Sequence, residues 1–490
     1  MHSEQLLKAR AYEAEKEKAI TPDMRPAFHL SARVGWMNDP NGLCRYQGKY
    51  HLFYQYNPYR THWGPMHWAH AVSEDLLHWE TLPCALAPDM PYDNGGGCFS
   101  GSAIELPDGR HLLMYTGVRL EKREDGTVDE FQTQCLAVGD GVDYEKVAHN
   151  PVLDAKDLPE GASHVDFRDP KIWRGSDGVY RAAVASRPQD GSGQILLFKS
   201  EDALHWRYEK KLAENRCRYG RMWECPDFFV LDGKAVLLVS PQDMTGKGVE
   251  YHPGNGNIAV IGNYDEATDT FTEESVQVID DGVDYYAMQT VTAPDGRRIM
   301  IAWMQNWDAL EHLPEEKWFG QTSLPREIAV KNGRLCQQPI RELESLRVGT
   351  VTHTGVEVEG RVELPGVCGR CADMTLSLSG AYERFTVNLA EEGDLKTTLT
   401  WEPDRQTLIL DRRSSGTRRA FVHKRRCIVD TCGREIRLRV ILDRNSVEVF
   451  AGEGEKTMSM VLHTPQTAAG ISFEAEGSAV MDVVLHELKH

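Results

Sequence analysis

Asp108-Gly-Arg-His-Leu-Leu-Met-Tyr115 sets the pattern by which the chain is read: a Gly-containing turn followed by an apolar strand. The same arrangement returns as Gln47-Gly-Lys-Tyr-His-Leu-Phe-Tyr54, Asp177-Gly-Val-Tyr-Arg-Ala-Ala-Val184, Asp232-Gly-Lys-Ala-Val-Leu-Leu-Val239 and Asp295-Gly-Arg-Arg-Ile-Met-Ile-Ala302. Asp-Gly and Gln-Gly are hairpin turns. In chain order the copies start 61, 69, 55 and 63 residues apart, which suits four antiparallel strands with their loops, one propeller blade. One such turn would say only that the local fold is β; five at near-regular spacing predict a five-bladed β-propeller. A second echo agrees: Ser73-Glu-Asp-Leu-Leu-His-Trp79 returns as Ser200-Glu-Asp-Ala-Leu-His-Trp206, 127 residues later and about two blades on.

Outside this repeat the pattern changes twice. Residues 3 to 19 are rich in Leu, Ala, Glu and Lys and predict a short N-terminal helix. After about residue 345, shorter alternating runs such as Met374-Thr-Leu-Ser-Leu-Ser379 and Ser446-Val-Glu-Val-Phe450 predict a separate β-sandwich. The expected organisation is all-β: an N-terminal helical extension over 1–25, a five-bladed propeller over 26–340 and a β-sandwich over 350–490.

Counting back eight residues from each turn reaches Asp39, Ser100, Asp169, Glu224 and Ala287. The first strand of every blade lines the central channel, so equivalent offsets predict one ring at a single level of a funnel. Three of its members are acids, within Trp36-Met-Asn-Asp-Pro-Asn-Gly42, Phe167-Arg-Asp-Pro170 and Trp223-Glu-Cys-Pro-Asp227. A lone Asp-Pro reads as a turn or strand end. Carboxylates converging on one sugar are what glycoside hydrolysis needs, one attacking or guiding water and one protonating the leaving oxygen. Trp36, Trp63, Trp68, Trp223, Trp303 and Trp307 fall near the blade starts, where flat apolar faces suit the C–H faces of sugars, though some belong to the core.

These segments, with Phe99-Ser-Gly101 and Asp443-Arg-Asn-Ser-Val-Glu-Val-Phe450, resemble the signature motifs of glycoside hydrolase family 32, which holds invertases, sucrose-6-phosphate hydrolases and fructanases. The resemblance implies that Asp39 is the nucleophile, Glu224 the general acid/base and Asp169 the transition-state stabiliser that grips fructose hydroxyls. It implies that Arg168 holds the same ring and helps keep the carboxylates ionised. It places Trp36, Met37, Asn38, Gln55, Trp63, Phe99, Ser100 and Trp303 around the fructose pocket, with Tyr286 tuning the acid/base. Departures at Ala302-Trp-Met304, Tyr286-Ala-Met-Gln289 and Gln321-Thr-Ser-Leu-Pro-Arg326 remove no catalytic group but put the pocket rim in doubt. The segment His62-Trp-Gly-Pro-Met-His-Trp-Ala-His70 is most similar to bacterial intracellular members, which act on sucrose or its 6-phosphate.

Composition excludes other classes. A formal net charge of −19 repels phosphodiester backbones and anionic membrane surfaces, leaving a small saccharide as the expected partner, with neither nucleic acid nor membrane. Lys424-Arg-Arg426 and Arg412-Arg413 read as solvated surface on sandwich loops. Eleven cysteines without framework spacing, and an N-terminus without an apolar leader stretch, predict a cytoplasmic protein. Cys368-Gly-Arg-Cys371, with Cys427 and Cys432, is a weak zinc candidate, and no metal or cofactor is expected. Arg33, Arg60, His62 and His67 are candidates to meet a 6-phosphate. The rival readings are an exo-fructanase, which shares all these residues, and a non-catalytic sugar-binding propeller, which the three intact acids disfavour.

Overall fold

Residues 2–188, 191–309, 316–416, 421–431 and 433–489 are described by a computed structural model. Cys432 lies outside them. Five sheets form the blades of a propeller, each with four antiparallel strands and the first with a short fifth, parallel strand added, and each of the five quoted turns joins the first and second strands of its blade. Those first strands are Gly35–Tyr46, Gly97–Glu105, Ala162–Arg174, Trp223–Leu231 and Tyr286–Thr292. The Ser-Glu-Asp echo is one turn used twice, after the third strands of blades one and three. Leu76 and Ala203 take positive φ there (69° and 64°), and the indoles of Trp79 and Trp206 donate to the carbonyls of Leu76 and Ala203 (2.9 and 3.1 Å).

Every first strand carries a pairing irregularity at the level of the acids. The register shifts lie between Met37 and Pro40, Phe99 and Gly101, Arg168 and Lys171, Glu224 and Asp227, and Tyr286 and Gln289. A bulge inserts an extra residue and turns side chains away from strict alternation. That is how successive residues such as Arg168 and Asp169 both reach the channel. Asp169, Cys225 and Ala287 adopt positive φ (62°, 50° and 55°), a conformation that L-residues hold only under tertiary constraint.

The ring closes where Trp318–Phe319 pairs in parallel with Gly35–Trp36. Beyond the last blade strand, Arg334–Pro339, the chain enters a β-sandwich built on three long strands, Arg347–Val362, Ala372–Glu392 and Gly470–Leu488. Ala372–Leu378 pairs with Ile436–Leu442, and the later half of the same strand pairs with Leu395–Glu402, so one strand serves both layers. Met374, Leu376, Trp401, Val440, Val449, Phe473 and Met481 form the buried core between them.

The helix Glu4–Lys16 is capped by Ser3 Oγ, which accepts from Leu6 N at 3.1 Å. It docks on blade one through Glu13, buried between Arg33 and the Cys84 N–H (3.0 and 2.9 Å). The basic clusters differ from expectation. Lys424–Ile428 is an edge strand, and Arg412 is fully buried against Asp284 at 2.5 Å, an interdomain ion pair rather than solvated surface. No described helix is long and apolar enough to cross a membrane.

Candidate active site

The three acids lie on the inner strands of blades one, three and four. Asp39 keeps partial solvent access while Ser100 Oγ donates to its Oδ2 at 2.6 Å and Asn38 Nδ2 to its Oδ1 at 3.1 Å. Trp36 Nε1 in turn donates to Asn38 Oδ1 at 2.7 Å, so the Asn38 donor is itself oriented. On blade four, Glu224 Oε1 receives Arg168 Nε at 3.0 Å, and Oε2 receives Tyr286 OH at 2.6 Å and Gln242 Nε2 at 2.9 Å. Asp169 Oδ2 accepts the Cys225 backbone N–H at 2.9 Å, and the Cys225 thiol stands 3.3 Å from Asp39 and 3.7 Å from Asp169. One cysteine therefore touches both aspartates and links them to the Glu224 strand. Trp36 stacks on Phe319 (5.0 Å, 14°) and packs against Trp303 and Trp307 (both 6.0 Å), an aromatic wall beside the acids.

The profile of the glycosyl hydrolases family 32 N-terminal domain matches residues 29–339, and that of the family 32 C terminal matches 342–489. The chain belongs to glycoside hydrolase family 32. It is 37% identical to a raffinose invertase of Escherichia coli, over 93% of each chain. To a sucrose-6-phosphate hydrolase of Zymomonas mobilis it is 34% identical, over 96% of this chain and 94% of the other. A Bombyx mori GH32 beta-fructofuranosidase solved in complex with sucrose superposes with a TM-score of 0.84 at 33% identity, covering 100% and 99% of the two chains. This family 32 chain is a glycoside hydrolase.

Arg168 favours the ionised form of Asp169, but burial outweighs it in the family 32 ring. Its guanidinium is committed to Glu224 and to Asp166 (2.8 Å), and stands 4.0 Å from Asp169. Burial, then the charge of Glu224, push Asp39 above the ordinary carboxylate range, against the pull of Ser100, Asn38 and Cys225. Asp169 is also raised, by burial first; Arg168 opposes this, and Glu224 and Asp39 add to it. Burial and the charge of Glu224 push Tyr286 well above its usual value, so its hydroxyl stays a donor.

Of the other sequence candidates, Phe99 receives the Trp68 indole at its carbonyl (3.1 Å) and faces Trp63 edge-on at 5.9 Å. Trp63 is 48% exposed and stands at the rim. Gln55 is buried and donates to Cys98 O at 2.9 Å. Met37 is set apart, fully buried in the blade-one core among Leu30, Val34, Tyr54 and Ile301. The departures lie behind the rim: Met288 and Ala302 are both fully buried in the core between the last two blades. Among the phosphate candidates, Arg33 is occupied by Glu13 and Glu17 (3.0 and 2.8 Å). His67 is buried on Pro65 O, and burial pushes its imidazole down to about 4, so it carries no charge. Arg60 and His62 are exposed.

Gln242, Asp166 and the thiol of Cys225 were not among the sequence candidates. Asp166 and Cys225 stand beside quoted motifs, and Asp166 lies two residues before Arg168 on one strand, a spacing that places both on one face. Gln242 follows the second strand of blade four and has no local signal; only the fold brings it to Glu224. In the zinc candidate, Cys368 is exposed and Cys371 is buried 3.8 Å from Asp443.

Proposed function

We propose that this protein is a retaining β-fructofuranosidase that hydrolyses terminal non-reducing β-D-fructofuranosides, sucrose or sucrose 6-phosphate, through a covalent fructosyl-enzyme. The observation that carries the reading is the division of labour around the carboxylates. Glu224 is held by three side-chain donors, one of them the Arg168 guanidinium, whereas the donors to Asp39, from Ser100, Asn38 and Cys225, are all neutral, and both residues keep partial access to the funnel. The names of the similar proteins and the sucrose complex support the substrate class.

In this mechanism Glu224 gives its proton to the glycosidic oxygen as Asp39 attacks the anomeric carbon, releasing the leaving sugar. Asp169 accepts hydrogen bonds from fructose hydroxyls. Glu224, now the conjugate base, takes a proton from water, which attacks the fructosyl carbon and frees Asp39. The covalent route and net retention require the Asp39 and Glu224 carboxyls to stand about 5–5.5 Å apart, too close for an intervening water. Both proton transfer and nucleophile come from carboxylates, so hydrolysis should persist with a chelator. We assign catalysis to residues 26–340 and a structural role to 350–490. We place the enzyme in the cytoplasm, where the buried free thiols of Cys44, Cys84, Cys98, Cys135 and Cys225 stay reduced.

An early NMR time course on sucrose should give β-fructofuranose as the first product, and α-fructofuranose would overturn retention. Steady-state rates on sucrose, sucrose 6-phosphate and inulin decide the leaving group. A phosphate preference that Arg60→Ala and His62→Ala abolish would assign those two residues.

A further inference from the structure

The propeller seam is held from outside the propeller. Two segments run side by side across it: residues 27–36, which lead into the Asp39 strand, and residues 317–324, which lead into blade five. They are joined by Gly35 N to Lys317 O (3.0 Å), Ala32 N to Gly320 O (3.0 Å) and Thr322 N to Leu30 O (2.8 Å). Gly320, at φ +94°, lies so close to this strand that a Cβ there would stand 2.2 Å from Met37 O. The same segment binds the other side of the pocket, through Met304 N to Gln321 O and Ser323 N to Ala302 O, both 2.8 Å, flanking Trp303.

Two sandwich carboxylates grip both segments. Asp443 accepts the backbone N–H groups of Ala27 (2.7 Å) and Phe28 (3.2 Å), and Glu448 accepts that of Leu324 (2.7 Å) and the Arg326 guanidinium (3.0 Å). His29 lies between them, with Nδ1 at 2.6 Å from Asp443 and Nε2 at 2.9 Å from Glu448. Carboxylates only accept, so both ring nitrogens donate and His29 is an imidazolium. Its side chain is 1% exposed, and Arg326 extends the network to Asp280 at 3.0 Å.

We propose that His29 is a positioning residue for the hydrolytic reaction: as a cation between Asp443 and Glu448 it sets the register of the seam and thereby the placement of Asp39 and Trp303. This rests on the reading of Asp39 as nucleophile. The path is continuous, from the sandwich through His29 and the zipped segments to Trp36, Asn38 and Asp39. A displacement of about 1 Å at a nucleophile is enough to cost on the order of 10²-fold in rate.

The test is steady-state kinetics on sucrose and sucrose 6-phosphate with full-length His29→Gln, at a temperature where circular dichroism shows the variant folded. Asp443→Asn, which keeps the shape and removes one charge, serves if His29→Gln does not fold. The control is Arg181→Gln, which breaks a buried ion pair with Asp269 (2.6 Å) away from the seam. The expected result is a fall in kcat of about 10- to 100-fold with KM changed less than about threefold. Arg181→Gln should lower the melting temperature yet keep kcat within about twofold of wild type. A seam variant with kcat within twofold of wild type, or an Arg181→Gln variant with the same fall in kcat, overturns the proposal. Wild-type enzyme inactive on every β-fructoside would instead sink the underlying functional reading.

Discussion

The funnel and the seam are built from nearly the same parts and hold them in opposite states. Each gathers buried or half-buried carboxylates around an arginine: Asp39, Asp166, Asp169 and Glu224 with Arg168, and Asp280, Asp443 and Glu448 with Arg326. At the seam a second cation, His29, joins, and backbone N–H groups complete the shell. Burial works against charge there, but the hydrogen bond from His29 keeps Asp443 below the usual carboxylate range, and the charge of Arg326 does the same for Glu448. In the funnel Arg168 is bound to Glu224 and Asp166, so burial prevails and Asp39 and Asp169 rise. A saturated cluster makes a clamp, whereas an under-neutralised one is poised to accept charge from a substrate.

Exchanging charge for shape should separate the two clusters most sharply in activity. Glu224→Gln is expected to lose about 10²–10⁴-fold in kcat, the range for a missing general acid/base, and Asp39→Ala and Asp169→Ala should also fold without useful hydrolysis. Substantial turnover by Asp39→Ala would remove the mechanism. Stability should move the other way. Asp39→Asn relieves a raised carboxyl and should leave the melting temperature unchanged or higher, whereas Arg326→Gln strands Glu448 and Asp280 at a cost of about 3–5 kcal/mol. Chemical denaturation of the two variants checks both signs, and a destabilised Asp39→Asn would erase the contrast.

Acidity offers a finer probe. In the proposed mechanism Asp39 must be ionised to attack, and its pKa is raised, so the acidic limb of kcat/KM should lie above the ordinary aspartate value of about 4. A limb at or below that value would mean the funnel is better neutralised than its geometry indicates. The smallest effect concerns stability against pH. Burial opposes the charge of His29, but the bonds to Asp443 and Glu448 outweigh it and push its pKa up to about 9, from about 6.5 unfolded. Its contribution is therefore fully present below pH 6.5 and lost as pH rises through 9. In blades one and two burial pushes His51 down to about 4 and His111 to about 3, so their contribution is present above pH 6.5 and lost as pH falls towards those values. Melting temperatures across pH should fall on both sides, with the alkaline fall removed in His29→Gln.

Much of the fold was legible because a propeller repeats its turns: Asp-Gly and Gln-Gly at near-regular spacing count blades, and an offset of eight residues from each turn finds the ring. The acids were legible for the same reason, since equivalent positions in a repeat share a level. Gln242 was not, because its contact with Glu224 depends on where one loop returns after the second strand of blade four. Nor was Arg412, whose neighbour in sequence is exposed while it is buried on Asp284, 128 residues away.

By itself the sequence determined the blade count, the three acids and their level, since these follow from local turn chemistry and periodicity. Only the tertiary structure decided which charges are satisfied. Arg33 was free to meet a phosphate until the helix brought Glu13 and Glu17 to it, and His29 was one histidine among eighteen until two sandwich carboxylates closed on both of its nitrogens. Ionisation and reach depend on burial and on partners hundreds of residues away, and neither leaves a mark in the neighbouring letters of the chain.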